Sequence, residues 1–462
     1  MLGGAEIPTS RYTRAADGAY LAYQVFGSGD TDLLYVPGWF SHLEVYWEQP
    51  QRTRFVTRLA SSSRVITFDE RGTGLSERTV GSPHLDTALD DVRAVLDAAG
   101  AERPVLLGEG PDGGGSCAMF AASFPERTLA LIWWSAHARS VITPDYPWGD
   151  DEEALLHEQI FLERAWGSEE SGAELLRAAL CPSLADDPAA QRWIAKLFRY
   201  GATPGGARTF QEWYTTIDVR GILPAIRVPT LIVQDAGRDA LEEARYIAER
   251  VPGARVGARG GIDLPAWLGD MDSNVAMIED FIESVRDEER QLDRVLATIL
   301  FTDVVRSTDR ASELGDRRWA ELLERHNTAV RAMLGRYRGT EVKTTGDGFL
   351  ATFDGPARAV KCAQAICEAV KPLGLEVRAG CHTGEIELLG VDVGGIAVHI
   401  GARIAALAGP SEVLVSSTVK DLVAGSGLVF KDRGEHRLKG VPDPWHLYAA
   451  AVHPDRPHSA DG

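Results

Sequence analysis

Residues 297–308 read ATILFTDVVRST, an apolar, β-branched run that ends on an acid and passes through a hydroxyl-bearing turn into amphipathic sequence. Such a run bounded by polar residues spells a buried strand, and the helical apolar spacing that follows over 308–336 spells a long helix. Toward the C-terminus the pattern predicts a hairpin at 340–345 and 348–353 around Gly346-Asp347-Gly348, then a helix at 356–371. Strands at 375–383 and 385–390 and a helix at 395–408 complete the series. This βαββαβ succession predicts a split-βαβ, ferredoxin-like α+β sheet.

Toward the N-terminus the strand is preceded by SVRDEERQLDRV (284–295), a charge-dense stretch that closes an amphipathic helix over 274–285. A chain of 462 residues exceeds what one hydrophobic core organises. The expected division is a domain at 1–288, a linker at 289–295, a second domain at 296–452 and a frayed tail at 453–462. Tryptophan usage agrees with it: of eleven, only Trp319 and Trp445 lie beyond residue 270. In the first part, apolar runs at 33–38, 64–72, 104–110, 129–136 and 229–237 alternate with helical segments such as 85–99. Continuous apolar strands joined by crossover helices predict an α/β domain with a parallel sheet covered on both faces. The Trp-rich insertion at about 140–220 reads as a helical lid.

Composition excludes several classes of function. Lys and Arg total 48 against 67 Asp and Glu, a net charge of −19 that repels phosphate backbones, so no nucleic-acid partner is expected. Runs such as 129–136 and 295–301 are far shorter than the roughly 20 apolar residues of a membrane span. The first residues lack an apolar stretch behind a basic start, so a cytoplasmic location is expected. The five cysteines read as reduced, packed thiols.

The chemistry concentrates in the second domain. An acid at a strand end beside a helix start, Asp303, can hold Mg²⁺ while backbone N–H groups of Val304, Val305, Arg306, Ser307 and Thr308 receive phosphate oxygens. Asp347, at the tip of a hairpin expected to pair with the Asp303 strand, supplies a second carboxylate. Two such acids can bridge a pair of hard cations for an in-line phosphoryl displacement.

With FTDVVRST (301–308), TGDG (345–348), GVDVGG (390–395) and RGEHRLKGV (433–441), the chain from 296 to about 451 resembles the class III nucleotidyl cyclases, adenylate cyclases in particular. The resemblance implies two Mg²⁺ or Mn²⁺ ions per active site on Asp303 and Asp347. It further implies Lys343 and Asp392 as readers of the purine, His399 where the family has a ribose-orienting asparagine, Arg403 on phosphate and Lys439 on the triphosphate. A lysine donating to adenine N1 and a carboxylate accepting from its 6-amino group suit ATP, which the domain is expected to cyclise to 3′,5′-cyclic AMP and pyrophosphate. In this family the carboxylates of one subunit face the remaining groups of another, so a homodimer with two interfacial sites is expected.

Pro37-Gly38-Trp39, FDERGTGLS (68–76), the glycine-rich turn after PVLLGEG (104–110) and FPER (124–127) make residues 1–288 similar to the α/β hydrolases. Their nucleophile sits in G-x-S-x-G, a strained turn beside an oxyanion hole. Here the turn reads Gly108-Glu109-Gly110-Pro111-Asp112-Gly113-Gly114, and the family's spacing back from FPER puts the nucleophile position at Pro111, which has no hydroxyl. Asp112 formally matches the G-x-D-x-G of dehalogenase-like members, and Ser116 lies further on, inside the next helix. In GIDLPAW (261–267) Leu264 stands in the place of the triad histidine, and no histidine lies between His157 and His326. Asp239 or Asp235 stands where the triad acid would. The expectation is a silent, regulatory hydrolase-like domain whose pocket takes a small apolar ligand, with His42 and His137 near it. The rival expectations are a bifunctional cyclase with residual hydrolase or esterase activity and a non-catalytic nucleotide-binding interaction module.

Overall fold

The computed structural model describes residues 7–451 except 79–83, 152, 157–159, 162–165, 169, 178–180, 262, 293, 345 and 390–391, and except the side chains of Leu292 and Leu389. The expected tail at 453–462 lies outside the described residues. The chain forms two compact units, Met1–Arg286 and Asp287–Gly462. The stretch expected as a linker at 289–295 falls partly in the helix Met271–Leu292 and partly in the strand Arg294–Val304. Its Glu, Arg and Gln residues favour helix and contain no Gly or Pro to stop it, so the helix runs past Val285.

The first unit is built on an eight-stranded sheet. Its strands are β1 (Arg11–Arg14), β2 (Tyr20–Phe26), β3 (Thr31–Val36) and β4 (Ser63–Phe68), followed by β5 (Val105–Glu109), β6 (Ala130–Trp134), β7 (Thr230–Asp235) and β8 (Arg255–Arg259). The order is β1-β2-β4-β3-β5-β6-β7-β8. From β4 to β8 neighbours are parallel, as the apolar runs require. β1 and β2 add an antiparallel edge that the sequence reading missed. In β2 the buried Gln24 interrupts the apolar run and is satisfied by the Trp47 indole N–H at 2.9 Å, while β1 exposes Arg11, Tyr12 and Arg14 at one sheet edge. Helices Pro188–Gly201 and Pro204–Tyr214 are inserted between β6 and β7, within the stretch read as a lid.

The second unit contains β9 (Arg294–Val304), β10 (Thr340–Thr344), β11 (Phe349–Phe353), β12 (Val377–Leu389) and β13 (Asp392–Gly394), then β14 (Val413–Ser416), β15 (Phe430–Arg437) and β16 (Pro444–Ala450). The order β10-β11-β9-β12-β14-β16-β15, with β13 on β12, contains the predicted split-βαβ core in its first four strands. Two expectations are corrected. The helix expected over 308–336 is two, Ser307–Leu314 and Asp316–Arg336, divided at Gly315 with φ +75°, a left-handed conformation that ends the first. The strands expected at 375–383 and 385–390 are one, because β12 keeps an unbroken register against β9 from Val377↔Val304 to Glu387↔Arg294, through Gly384. The five cysteines are buried free thiols. Among the described residues no helix is long and apolar enough to cross a membrane.

Candidate functional site

Asp303 sits at the end of β9, directly opposite Arg378 of β12. Its Oδ2 accepts from Arg378 Nε at 2.9 Å, and both side chains are about one-third exposed, at 36% and 34%. Beyond the strand, Val305 donates its N–H to the Glu376 carbonyl at 2.8 Å, so this group is not free for phosphate as the sequence suggested. Arg306 then takes a left-handed conformation (φ 56°) and the helix Ser307–Leu314 begins. Its first-turn N–H groups have no intrahelical acceptor and point their partial positive charge outward. Asp303, Val304, Arg306, Ser307, Thr308 and Arg378 wall an open recess of about 330 Å³.

Asp347 lies in the turn between β10 and β11. Because Phe349 of β11 pairs with Thr302 of β9, that turn comes down at the Asp303 end of the strand. Asp347 Oδ2 is buried without a hydrogen-bond partner. An orphaned carboxylate oxygen on a turn at the Asp303 end of β9 fits a hard cation, whose remaining ligands are ordinarily water and substrate phosphate oxygens. Among the described residues no group of three or more His, Cys, Asp or Glu converges on one point, so a metal here would rest on these two acids and on non-protein oxygens.

His326, on the helix Asp316–Arg336, was missed by the sequence reading. It is fully buried, its ring lies 6.0 Å from that of Phe349, and its Nε2 has no partner. Burial holds its pKa below the ordinary value, against the opposing pulls of the Asn327 side chain and the Asp347 charge. The signal was present: His326, Val330 and Leu334 form the helix's buried stripe at four-residue spacing.

Lys343 of β10 and Asp392 of β13, 49 residues apart, meet in a two-armed ion pair with Nζ 2.9 and 2.7 Å from the carboxylate oxygens. Asp392 also accepts from the Val393 N–H at 2.8 Å, and its pKa is lowered chiefly by the Lys343 hydrogen bond. His399 and Arg403 lie on the exposed side of the helix Ile396–Leu407, opposite the buried Ala397, Ile400 and Ile404. That helix is pressed onto β12, since a Cβ at Gly380 would stand 2.3 Å from the Ala405 nitrogen. Lys439 is exposed in the turn after β15. Within the chain, the structure thus brings Asp303 to the helix start and Lys343 to Asp392, while His399, Arg403 and Lys439 do not line the Asp303 recess.

In the first unit the turn from β5 to the helix Gly113–Ser123 carries its left-handed backbone at Gly110 (φ +69°). This corrects the sequence count to Pro111, whose ring locks φ near −65° and bars it from that conformation. Gly110 has no side chain, and Pro111 has no N–H to offer an oxyanion. The other donor of a hydrolase oxyanion hole, an N–H from the loop after β3, corresponds to Trp39, and it is occupied: Asp112 Oδ2 accepts it at 2.5 Å. Ser116 is fully buried inside the helix. Asp239 is exposed at the start of the helix Arg238–Ala248, and Asp235 accepts from the Gly237 N–H at 2.7 Å.

A cavity of about 420 Å³ opens above this turn, walled by Trp39, Phe40, Asp112, His137, Trp193 and Leu264 among others. His42 is absent from its wall and instead accepts from the Val45 N–H at 3.4 Å. His137 Nδ1 lies 3.0 Å from Glu243 Oε1, a His–carboxylate pair that the search for a histidine after the last strand overlooked. Burial pulls His137 down, and the Glu243 charge and hydrogen bond outweigh it, so its pKa is raised. Burial also lifts Glu109 to about 7 and Asp112 to about 6.

Residues 289–450 match the adenylate and guanylate cyclase catalytic domain, and residues 33–257 match the alpha/beta hydrolase fold. The chain is a fusion of an α/β-hydrolase-fold domain with a class III cyclase catalytic domain. It is similar to putative adenylate cyclase 3 of Rhizobium meliloti (strain 1021), 32% identical over 171 residues that cover 34% of this chain and 28% of that protein. It is also similar to the receptor-type adenylate cyclase GRESAG 4.1 of Trypanosoma brucei brucei, 26% identical over 35% of this chain and 17% of that protein. The chain therefore spans less than a third of the length of these relatives. A bromoperoxidase from Bacillus anthracis shares the fold of the first unit, with 18% identity, a TM-score of 0.51, and 60% of this chain and 100% of that chain covered.

Proposed function

We propose that the second domain is an adenylate cyclase that closes ATP to 3′,5′-cyclic AMP with release of pyrophosphate, at sites shared between two copies of the chain in the cytoplasm. The observation that carries the adenine preference is the Lys343–Asp392 pair, which presents a donor and an acceptor side by side on an otherwise open surface. Adenine offers the complementary acceptor and amino group, whereas guanine offers a donor and a carbonyl, and a site built for specific hydrogen bonds discriminates strongly between them.

Asp303 and Asp347 would hold two Mg²⁺ or Mn²⁺ ions, which when bound supply Lewis acidity to the 3′-oxygen and the phosphates. The helix start at Ser307 and Thr308 receives phosphate oxygens. Arg403 and Lys439, exposed and without a side-chain partner among the described residues, are available to a second copy, where they neutralise charge on the departing pyrophosphate. His399 takes the position of an asparagine and can donate one hydrogen bond toward the ribose; a missing contact there would cost about 2–3 kcal/mol in the transition state. The first domain is read as catalytically silent and regulatory, since its turn has no nucleophile at Gly110, no donor at Pro111 and an occupied donor at Trp39.

The test is incubation of the purified chain with ATP and Mn²⁺ and mass-spectrometric detection of cyclic AMP. Cyclic AMP formed faster than cyclic GMP from GTP is the expected result; no cyclic AMP would reject the assignment and favour a nucleotide-binding interaction module.

A further inference from the structure

We propose that the cavity of the hydrolase-like domain is a receptor site for an apolar amine, a hydrocarbon body with one protonated nitrogen that donates to Asp112 Oδ1. This inference goes beyond the cyclase reading and does not rest on it.

Asp112 is 1% exposed, and its two oxygens are used unequally. Asp112 lines the cavity; its Oδ2 is taken by the Trp39 N–H, while Oδ1 is buried between Gly38 and Gly110 and has no hydrogen-bond partner. A buried acceptor without a donor is costly to leave so, and a ligand that supplies one recovers that cost. Among the described residues the wall contains no unpaired cation. His137 is paired with Glu243, and Arg139 with Asp218. Neither of those carboxylates lines the cavity, whereas Glu109, Asp112, Asp150 and Glu174 do.

The same plug that satisfies Oδ2 turns away the usual hydrolase ligands. An ester carbonyl or a carboxylate entering this pocket would find the Trp39 donor occupied, no N–H at Pro111, and acids around it. An ammonium would meet the opposite field. The remaining wall is aromatic, with Trp39, Phe40, Trp148, Trp193, Phe198 and Trp267 around it. Ring faces attract cations as well as hydrocarbon. At about 420 Å³ the space lies within the range of small-molecule sites. Burial lifts Asp112 to about 6 against the Trp39 N–H, and a cation bound beside it would favour its ionised form.

The experiment is calorimetric titration of the full chain at pH 7.5 with three matched probes, 1-naphthylmethylamine, 1-naphthylmethanol and 1-naphthoate. The amine is expected to bind about tenfold or more tightly than the alcohol, as a charge-assisted hydrogen bond exceeds a neutral one, and the naphthoate to give no binding heat. Asp112→Asn, which keeps the shape and removes the charge, is expected to weaken the amine about tenfold while moving the alcohol less than about threefold. The wild-type ranking of the three probes stands even where the variant is unstable. The proposal is overturned by alcohol or naphthoate binding as tightly as the amine, by an unchanged amine affinity in a folded Asp112→Asn protein, or by an absence of amine binding.

Discussion

Asp303 and Arg378 face each other across β9 and β12, and the guanidinium holds the same carboxylate that is proposed to carry a metal. A fixed positive charge next to a dication site opposes metal binding while it orients the ligand. Arg378→Gln is therefore expected to tighten Mn²⁺ binding by about three- to tenfold, since removing one like charge a few ångströms away is worth on the order of 1 kcal/mol in a partly exposed site. Titration of Mn²⁺ followed by electron paramagnetic resonance checks it, and weaker binding in the variant would show orientation to outweigh repulsion.

Separation of Asp303 from Arg403 within the chain leads to a complementation experiment. Asp303→Ala and Arg403→Ala are each expected to abolish cyclic AMP synthesis, and mixing them is expected to restore part of it, because one of the two hybrid interfaces retains every group. Mixed dimers verified by differential tagging that remain inactive would rule out sites shared between copies.

The two domains are expected to respond to pH with opposite sign. Burial alone pulls the His382 imidazole down to about 4. Between that value and about 6.5 the unfolded chain binds a proton that the folded domain refuses, so this part of the stability is complete above pH 6.5 and is lost toward pH 4, roughly 3 kcal/mol in total. Glu109 is the reverse case, since burial raises it to about 7 against the Ala266 N–H and the Tyr35 hydroxyl. Its contribution is complete below pH 4.5 and disappears as pH rises through 7, again by roughly 3 kcal/mol. Thermal proteolysis of the full chain at pH 5.5 and 7.5, read peptide by peptide, should show His382→Gln flattening the response of the second domain and Glu109→Gln that of the first.

The hydrolase-like turn makes a further prediction. Gly110→Ser puts a hydroxyl at the left-handed position, yet turnover of p-nitrophenyl butyrate is expected to stay at the buffer rate. Pro111 still lacks its N–H, and Asp112 still occupies that of Trp39. Esterase activity in the wild-type protein that disappears in Asp112→Ala would instead support a bifunctional enzyme.

Much of this was legible in the residues themselves. The apolar runs that became β3 to β7 and the middle of β9 are continuous and largely buried, so pattern alone located them, and the acids of FTDVVRST and TGDG stood out by their position beside turns. Strand register was not legible. Nothing in VRAG at 377–380 announces that Arg378 will lie opposite Asp303, because that pairing is fixed by sheet assembly between residues 75 positions apart. The count to Pro111 failed for a backbone reason, as spacing along a chain does not report which residue takes positive φ. His137 was passed over because the search looked after the last strand, whereas its carboxylate partner Glu243 arrives from a helix 106 residues away.

β12 has a consequence for how substrate contacts can change. It bears Arg378 on the Asp303 carboxylate, seats the Arg403 helix at Gly380, and pairs at its far end with β13, which carries Asp392. The proposed metal, phosphate and base subsites thus share one datum line, so on this reading an insertion or deletion in this strand would misalign all three at once, and a new nucleotide preference would be reached by exchanging side chains on an unmoved backbone.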